Sequence, residues 1–191
     1  MSEQPFAKIK DGVKNDKSLV IPDLISVCKE SLKTVEQLVV SLKNKTSSII
    51  MRDGKINPSL LESEQYAAHG LAWFATYVVA IREMLNWAER LVSVKRFGEI
   101  ESLILQSAFG EYLSQIFGGI PMSQGEIVRL SDLHFPNSEI EKLLGKNISK
   151  LMSNGNSVDV RMKIAELVAD GNFGDYGLGD ETLVMIQDQF R

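Results

Sequence analysis

The sequence predicts an all-α fold, an up-and-down helical bundle with a long central helix and smaller appended helices. Apolar residues recur at steps of three and four and almost nowhere at two, which is the period of a helix face rather than of a strand. From Asn57 to Ser93 two such stripes run side by side without interruption. No stretch of useful length alternates apolar with polar side chains, and no internal repeat occurs.

The first helix starts near Ile21, where Ile21, Ile25, Cys28, Leu32, Val35, Val39 and Leu42 follow alternating steps of four and three. Pro22 falls where a first turn tolerates it, and the pattern fades before Asp53-Gly54, a turn signal. In the second helix Asn57 is a good N-cap and Pro58 a good first residue; an unbroken run to Ser93 would measure roughly 54 Å. One stripe is Tyr66, Gly70, Trp73, Tyr77, Ala80, Met84, Trp87, Leu91 and Val94; its neighbour is Ala67, Leu71, Phe74, Val78, Ile81, Leu85, Ala88 and Val92. Ala68, Ala72, Ala75 and Val79 add a third small or apolar face, so the middle of this helix is expected to be surrounded by others.

A third helix spans about Gly98 to Phe117, with Leu105, Phe109, Tyr112 and Ile116 on one stripe and Leu103, Leu113 and Phe117 beside it; Gly118-Gly119 ends it. A long connection to Asn137 follows, in which Ser123 and Glu126 read as the capping box of a short helix. Ser138 with Glu141 reads as another box, opening a helix through Ile140, Leu144, Ile148 and Leu151 that Asn154-Gly155 stops. Ser157 opens the next, carrying Val160, Ile164 and Leu167 and ending at Gly171. The expected organisation is a flexible arm over residues 1–20, a helical domain over 21–170, a glycine-rich linker over 171–179 and the start of a further helix over 180–191.

Chemistry-bearing residues are scarce. Neither of the two histidines, His69 and His134, has glutamate three positions before it, so the helical di-iron pattern is absent, and His69 is expected to be packed and hydrogen-bonded. Cys28 lies on an apolar stripe with no basic residue three or four positions away, which makes it a core residue rather than a nucleophile. Trp73 and Trp87 share a stripe and read as core. From Asp170 an EF-hand register places Asn172 third and Glu181 twelfth, but Asp175 stands where the turn glycine is needed. With 21 basic and 25 acidic residues, a formal net charge of −4 and no basic cluster, neither nucleic acid nor an anionic membrane is an expected partner. What remains is "IPMSQGEIVR": a crossover between helices, or a candidate contact loop presenting Pro121, Met122, Ser123, Gln124, Glu126 and Arg129.

Two stretches, "HGLAWFATYVVAIREMLNWAERL" from His69 and "FGEYLSQIFGGIPMSQGEIVR" from Phe109, resemble the N-terminal extension of certain acyl-CoA dehydrogenases. The resemblance is dense over residues 57–131 and returns at "MIQDQFR", Met185 to Arg191, which is similar to the opening helix of the catalytic fold in that family. It implies an accessory domain of an FAD-dependent enzyme that oxidises a short branched acyl-CoA. It also implies that the FAD site, the thioester site and the catalytic glutamate all lie downstream. No catalytic, cofactor-binding or metal residue is therefore assigned to this chain. The partners implied are the downstream catalytic region, further copies of the enzyme and an electron-transfer flavoprotein, in the cytoplasm. The alternative of another class is a free-standing helical protein-interaction module.

Overall fold

The computed structural model describes residues 18–177 and 181–189. Most of the arm expected at 1–20, the end of the 171–179 linker, and Asp180, Phe190 and Arg191 of the expected terminal helix lie outside the described residues. The fold is mostly helical, as the periodicity predicts. In chain order it runs α1 (Leu24–Ile50), β1 (Met51–Arg52), β2 (Lys55–Ile56), α2 (Pro58–Ser63), α3 (Gln65–Ser93), α4 (Glu99–Gly118), β3 (Ile120–Ser123) and β4 (Glu126–Val128). A 3-10 turn (Leu130–Leu133), α5 (Asn137–Leu143), α6 (Lys146–Asn154), α7 (Val158–Ala169) and α8 (Glu181–Gln189) complete it. α1 lies along α3, α3 against α4, and α6 and α7 cross α4.

The long helices form because each buries the stripe its spacing sets up. On α1, Cys28, Leu32, Val35 and Leu42 are buried, flanked by Leu24, Val27 and Leu38. On α3, Ala67, Phe74, Val78, Ile81, Leu85 and Ala88 are buried, and Leu103, Leu105, Phe109, Leu113 and Ile116 answer from α4. Each such side chain contributes about 1.5–3 kcal/mol on leaving water. Thiol desolvation raises the pKa of Cys28, the expected behaviour of an inert core cysteine.

Several boundaries differ from the sequence reading. Pro22 precedes α1 rather than opening it, because Asp23 takes a left-handed conformation, and α1 continues to Ile50. The run from Asn57 is divided at Glu64, whose φ of −110° and ψ of 20° leave the helical region. α2 fully buries no side chain, so little packing holds it in line with α3; Asn57 still caps it, accepting from Leu60 N at 3.2 Å. The helix expected from Ser138 is divided at Leu144-Gly145, and Ser138 lies inside α5 instead of capping it. Gly145 brings the entropic cost of glycine without a side chain to bury. The third face of α3 is only partly covered: Ala68 and Ala75 are half-buried, whereas Ala72 is exposed and Val79 is 46% exposed.

The helix stops at Asn154-Gly155 as expected, and close approach explains why the cap is glycine. Gly155 has ordinary right-handed helical angles, and a Cβ there would stand 2.4 Å from the Gln106 carbonyl oxygen and 2.5 Å from that of Leu151. Gly110 faces it across the crossing, with 3.1 Å from its built Cβ to the Gly155 Cα. The two glycines let the α6–α7 connection sit directly on the α4 backbone.

α4 also fastens the chain at two distant points. The buried Gln106 accepts from Ile21 N at 2.9 Å and donates to Leu19 O at 3.1 Å. The buried Glu101 accepts from Gly98 N at 2.9 Å and from Asp175 N at 2.7 Å. Trp87 Nε1 donates to Asp175 O at 3.0 Å, and Arg96 forms an ion pair with the Asp175 carboxylate. Gly177 packs on the Trp87 ring. The first part of the glycine-rich segment is therefore held on the body by a latch.

Candidate functional site

The candidate contact loop is an antiparallel hairpin. Ile120 pairs with Val128, Pro121 with Ile127 and Ser123 with Glu126, with Met122 bulged between the pairs. Ser123 and Glu126, read as the ends of a capping box, face each other across the turn, where Ser123 Oγ donates to Glu126 Oε2 at 2.7 Å. The correction has a backbone cause. Gly119 has φ 127° and Gly125 φ 87°; the first turns the chain out of α4, and the second fills the position that a type II turn reserves for glycine. A Cβ at Gly119 would meet Ile127 Cγ2 at 2.6 Å, so both its angles and its surroundings demand glycine.

The hairpin root is fixed and its tip is free of the core. Ile120 and Val128 are fully buried, and Val128 sits over Gly70 of α3, where a Cβ would be 2.5 Å from Val128 Cγ2. Tyr66 donates to Ile127 O at 3.1 Å, and Asp132 Oδ2 accepts from Arg129 N at 2.7 Å. Pro121, Ser123, Gln124, Glu126 and Arg129 are exposed, whereas Met122 is half-buried against the core. Among these candidates the structure brings only Ser123 and Glu126 into contact through side chains.

Beside the root an aromatic and polar ladder crosses from α3 to α4. His69 stands exposed rather than packed, and its Nε2 accepts from Trp73 Nε1 at 3.0 Å. Trp73 meets Tyr77 edge-on at 6.4 Å, and Tyr77 lies 4.8 Å from Tyr112. Tyr77 donates to Gln115 Oε1 at 2.7 Å, Gln115 Nε2 donates to Glu111 at 2.6 Å, and Asn156 Nδ2 donates to Glu111 at 2.9 Å. The Gln115 and Asn156 hydrogen bonds outweigh partial desolvation and, with help from Arg161, hold Glu111 below the usual carboxylate range. Desolvation, then Tyr112 and Glu111, push the Tyr77 phenol above its ordinary value.

Sequence reasoning missed this ladder because its links join residues up to 45 apart in the chain. It also missed the pair of His134 Nε2 with Glu64 Oε2 at 2.9 Å, which spans 70 residues, and the Glu101–Asp175 latch. A groove at the start of α1 is lined by Val20, Pro22, Ile25 and Phe97 and has one cation, Lys29, which is paired with Glu89. Among the described residues no group of three His, Cys, Asp or Glu is placed to hold a metal ion, and no helix is long and apolar enough to cross a membrane. The arrangement is a helical body from which a hairpin with an exposed tip projects.

The chain is similar to (2S)-methylsuccinyl-CoA dehydrogenase of Cereibacter sphaeroides. Identity is 43% over 176 residues, covering 90% of this chain and 31% of that dehydrogenase. The chain thus spans about a third of the length of the curated relative it matches, as a fragment resembling it would. No family model matches the chain. The resemblance to (2S)-methylsuccinyl-CoA dehydrogenase extends well beyond the two stretches that first carried it, into α1 and the helices after the hairpin, because the alignment takes in nine-tenths of the sequence.

Proposed function

We propose that this chain is an accessory helical domain of an FAD-dependent acyl-CoA dehydrogenase acting on a short branched acyl-CoA such as methylsuccinyl-CoA, and that it is not catalytic by itself. The observation that carries this reading is the alignment: nine-tenths of the chain matches under a third of a dehydrogenase of that activity. In this reading α-proton abstraction, hydride transfer and electron delivery to an electron-transfer flavoprotein belong to the rest of the polypeptide, in a cytoplasmic homo-oligomer. The chain's own part is mechanical. A hairpin seated on Gly70 and bent at Gly119 holds Gln124 and the Ser123–Glu126 pair at a fixed height above the bundle, where they contact the catalytic region.

The donor set supports placing the flavin elsewhere. The amides of Asp175 and Gly177, in the glycine-rich segment that would have to cradle a pyrophosphate, are already given to the carboxylates of Glu101 and Asp175. Two carboxylates at that place repel phosphate instead of binding it. No step is assigned to FAD in this chain.

The test is direct. The purified 191-residue chain is expected to be colourless and to show no acyl-CoA-dependent reduction of a ferrocenium-type acceptor, whereas the product of the full reading frame binds flavin and oxidises methylsuccinyl-CoA. A yellow, active 191-residue chain overturns the proposal. The uncovered face of α7 also suits a free-standing interaction module, a reading that gains if no in-frame flavoenzyme follows Arg191.

A further inference from the structure

α7 has two apolar stripes on opposite sides. Val160, Ile164 and Leu167 recur at four and three and face α4, where Val160 is buried and the other two are half-buried. Val158, Met162, Ala165 and Ala169 recur at four, three and four on the far side, and all are exposed, Val158 at 60% and Met162 at 55%. Val168 flanks the far stripe, also exposed. A helix that is apolar on both sides belongs between two layers, and the described residues supply only one. Of the charged residues alongside, Arg161 donates to Asn156 O at 3.0 Å and Lys163 pairs with Glu166 at 3.9 Å, while Asp159 lies exposed beside Val158. Nothing on the far stripe calls for a charged partner.

We propose that the Val158–Met162–Ala165–Ala169 face is the surface on which the flavoenzyme body of the longer polypeptide docks, through an apolar helix face of its own; this rests on the accessory-domain reading above. Three observations select that occupant over a second copy or an unrelated protein. The face is small: a helix of this length offers a footprint of roughly 200 Å², far below the ~800 Å² per partner that a stable association between separate molecules requires. A covalently joined partner needs far less, because the tether supplies its concentration. The outgoing chain is fastened beside this helix, since Asp175 is held by Glu101 and Arg96 six residues after Ala169, so the next element starts from a fixed point within reach of the face. That element, α8, also exposes apolar side chains, Met185 and Ile186, and more than two-thirds of the related dehydrogenase's length lies outside the matched region.

The test uses the product of the full reading frame. Its peroxide oxidation at Met162, followed by peptide mass spectrometry, is compared with free N-acetylmethionine amide in the same solution. Docking is expected to slow Met162 oxidation by at least about fivefold, since the rate follows exposure of the sulfur, and Val158→Glu with Val168→Glu is expected to remove that protection. Oxidation slowed by less than this in a flavin-loaded, active polypeptide overturns the docking proposal and leaves the accessory reading standing. Protection that disappears on dilution, together with a drop in sedimenting mass, assigns the face to a second copy and likewise overturns it. A full-length product without flavin or turnover overturns the accessory reading itself.

Discussion

α3 and α7 are both apolar helices, yet one finishes its packing within this chain and the other does not. α3 lays Phe74, Val78, Ile81, Leu85 and Ala88 against α1 and α4 and turns Ala72, Thr76, Val79 and Glu83 outward along its middle. α7 buries Val160 alone and leaves a stripe of comparable apolarity in solvent. Apolar content therefore does not measure burial. What decides it is whether the chain supplies a second surface, and for α7 the described residues supply one side only.

The largest expected effect tests that contrast directly. Phe74→Ala, which removes a fully buried ring, should cost about 3–5 kcal/mol in urea unfolding of the purified chain. Met162→Ala should change the same measurement by no more than about 0.5 kcal/mol. A comparable loss at both positions would break the comparison, since Met162 would then be packed within this chain.

A smaller effect sharpens it at the latch. Glu101→Gln keeps the shape but replaces one of two accepting oxygens by a donor, so either Gly98 N or Asp175 N loses its partner. The expected cost is about 1–3 kcal/mol, with faster amide exchange over residues 172–177 and unchanged exchange in the middle of α3. Unchanged exchange over 172–177 would show that the segment is held without this carboxylate.

The smallest effect is in the pH dependence. The folded pKa of Glu111 lies below its unfolded one, so its contribution to stability is present above the ordinary glutamate range and is lost as pH falls through that range toward the folded value. Glu111→Gln should flatten this part of the acid limb in a series of urea titrations by lowering stability near neutrality, while leaving stability at acid pH little changed. An acid limb identical in both proteins would remove Glu111 from the ladder's energetics.

Much of the core was legible because α1, α3 and α4 each carry a stripe long enough for its period to show. The boundaries were harder to read, for local reasons. Serine three residues before glutamate serves both a capping box and a two-residue hairpin, and what decides between them, the positive φ of Gly119 and Gly125, is not a spacing. Two stripes on α3 were visible, but alanines on a third face look the same whether covered or open, so its exposure could not be read from the residues. That Gln124, Glu126 and Arg129 lie near an exposed tip was legible; that the tip belongs to a hairpin was not. Nor was the half-buried Met122, because its bulge shifts the side-chain alternation by one position.

Gln106 and Glu101 lie five positions apart on α4, about 7.5 Å along its axis, and between them they clamp the backbone near residue 20 and near residue 175. Entry and exit of this domain are thus held at neighbouring turns of one helix. Such a unit can be spliced into or out of a polypeptide without stretching what flanks it, and it is well placed to tolerate circular permutation with its old ends joined by a short bridge.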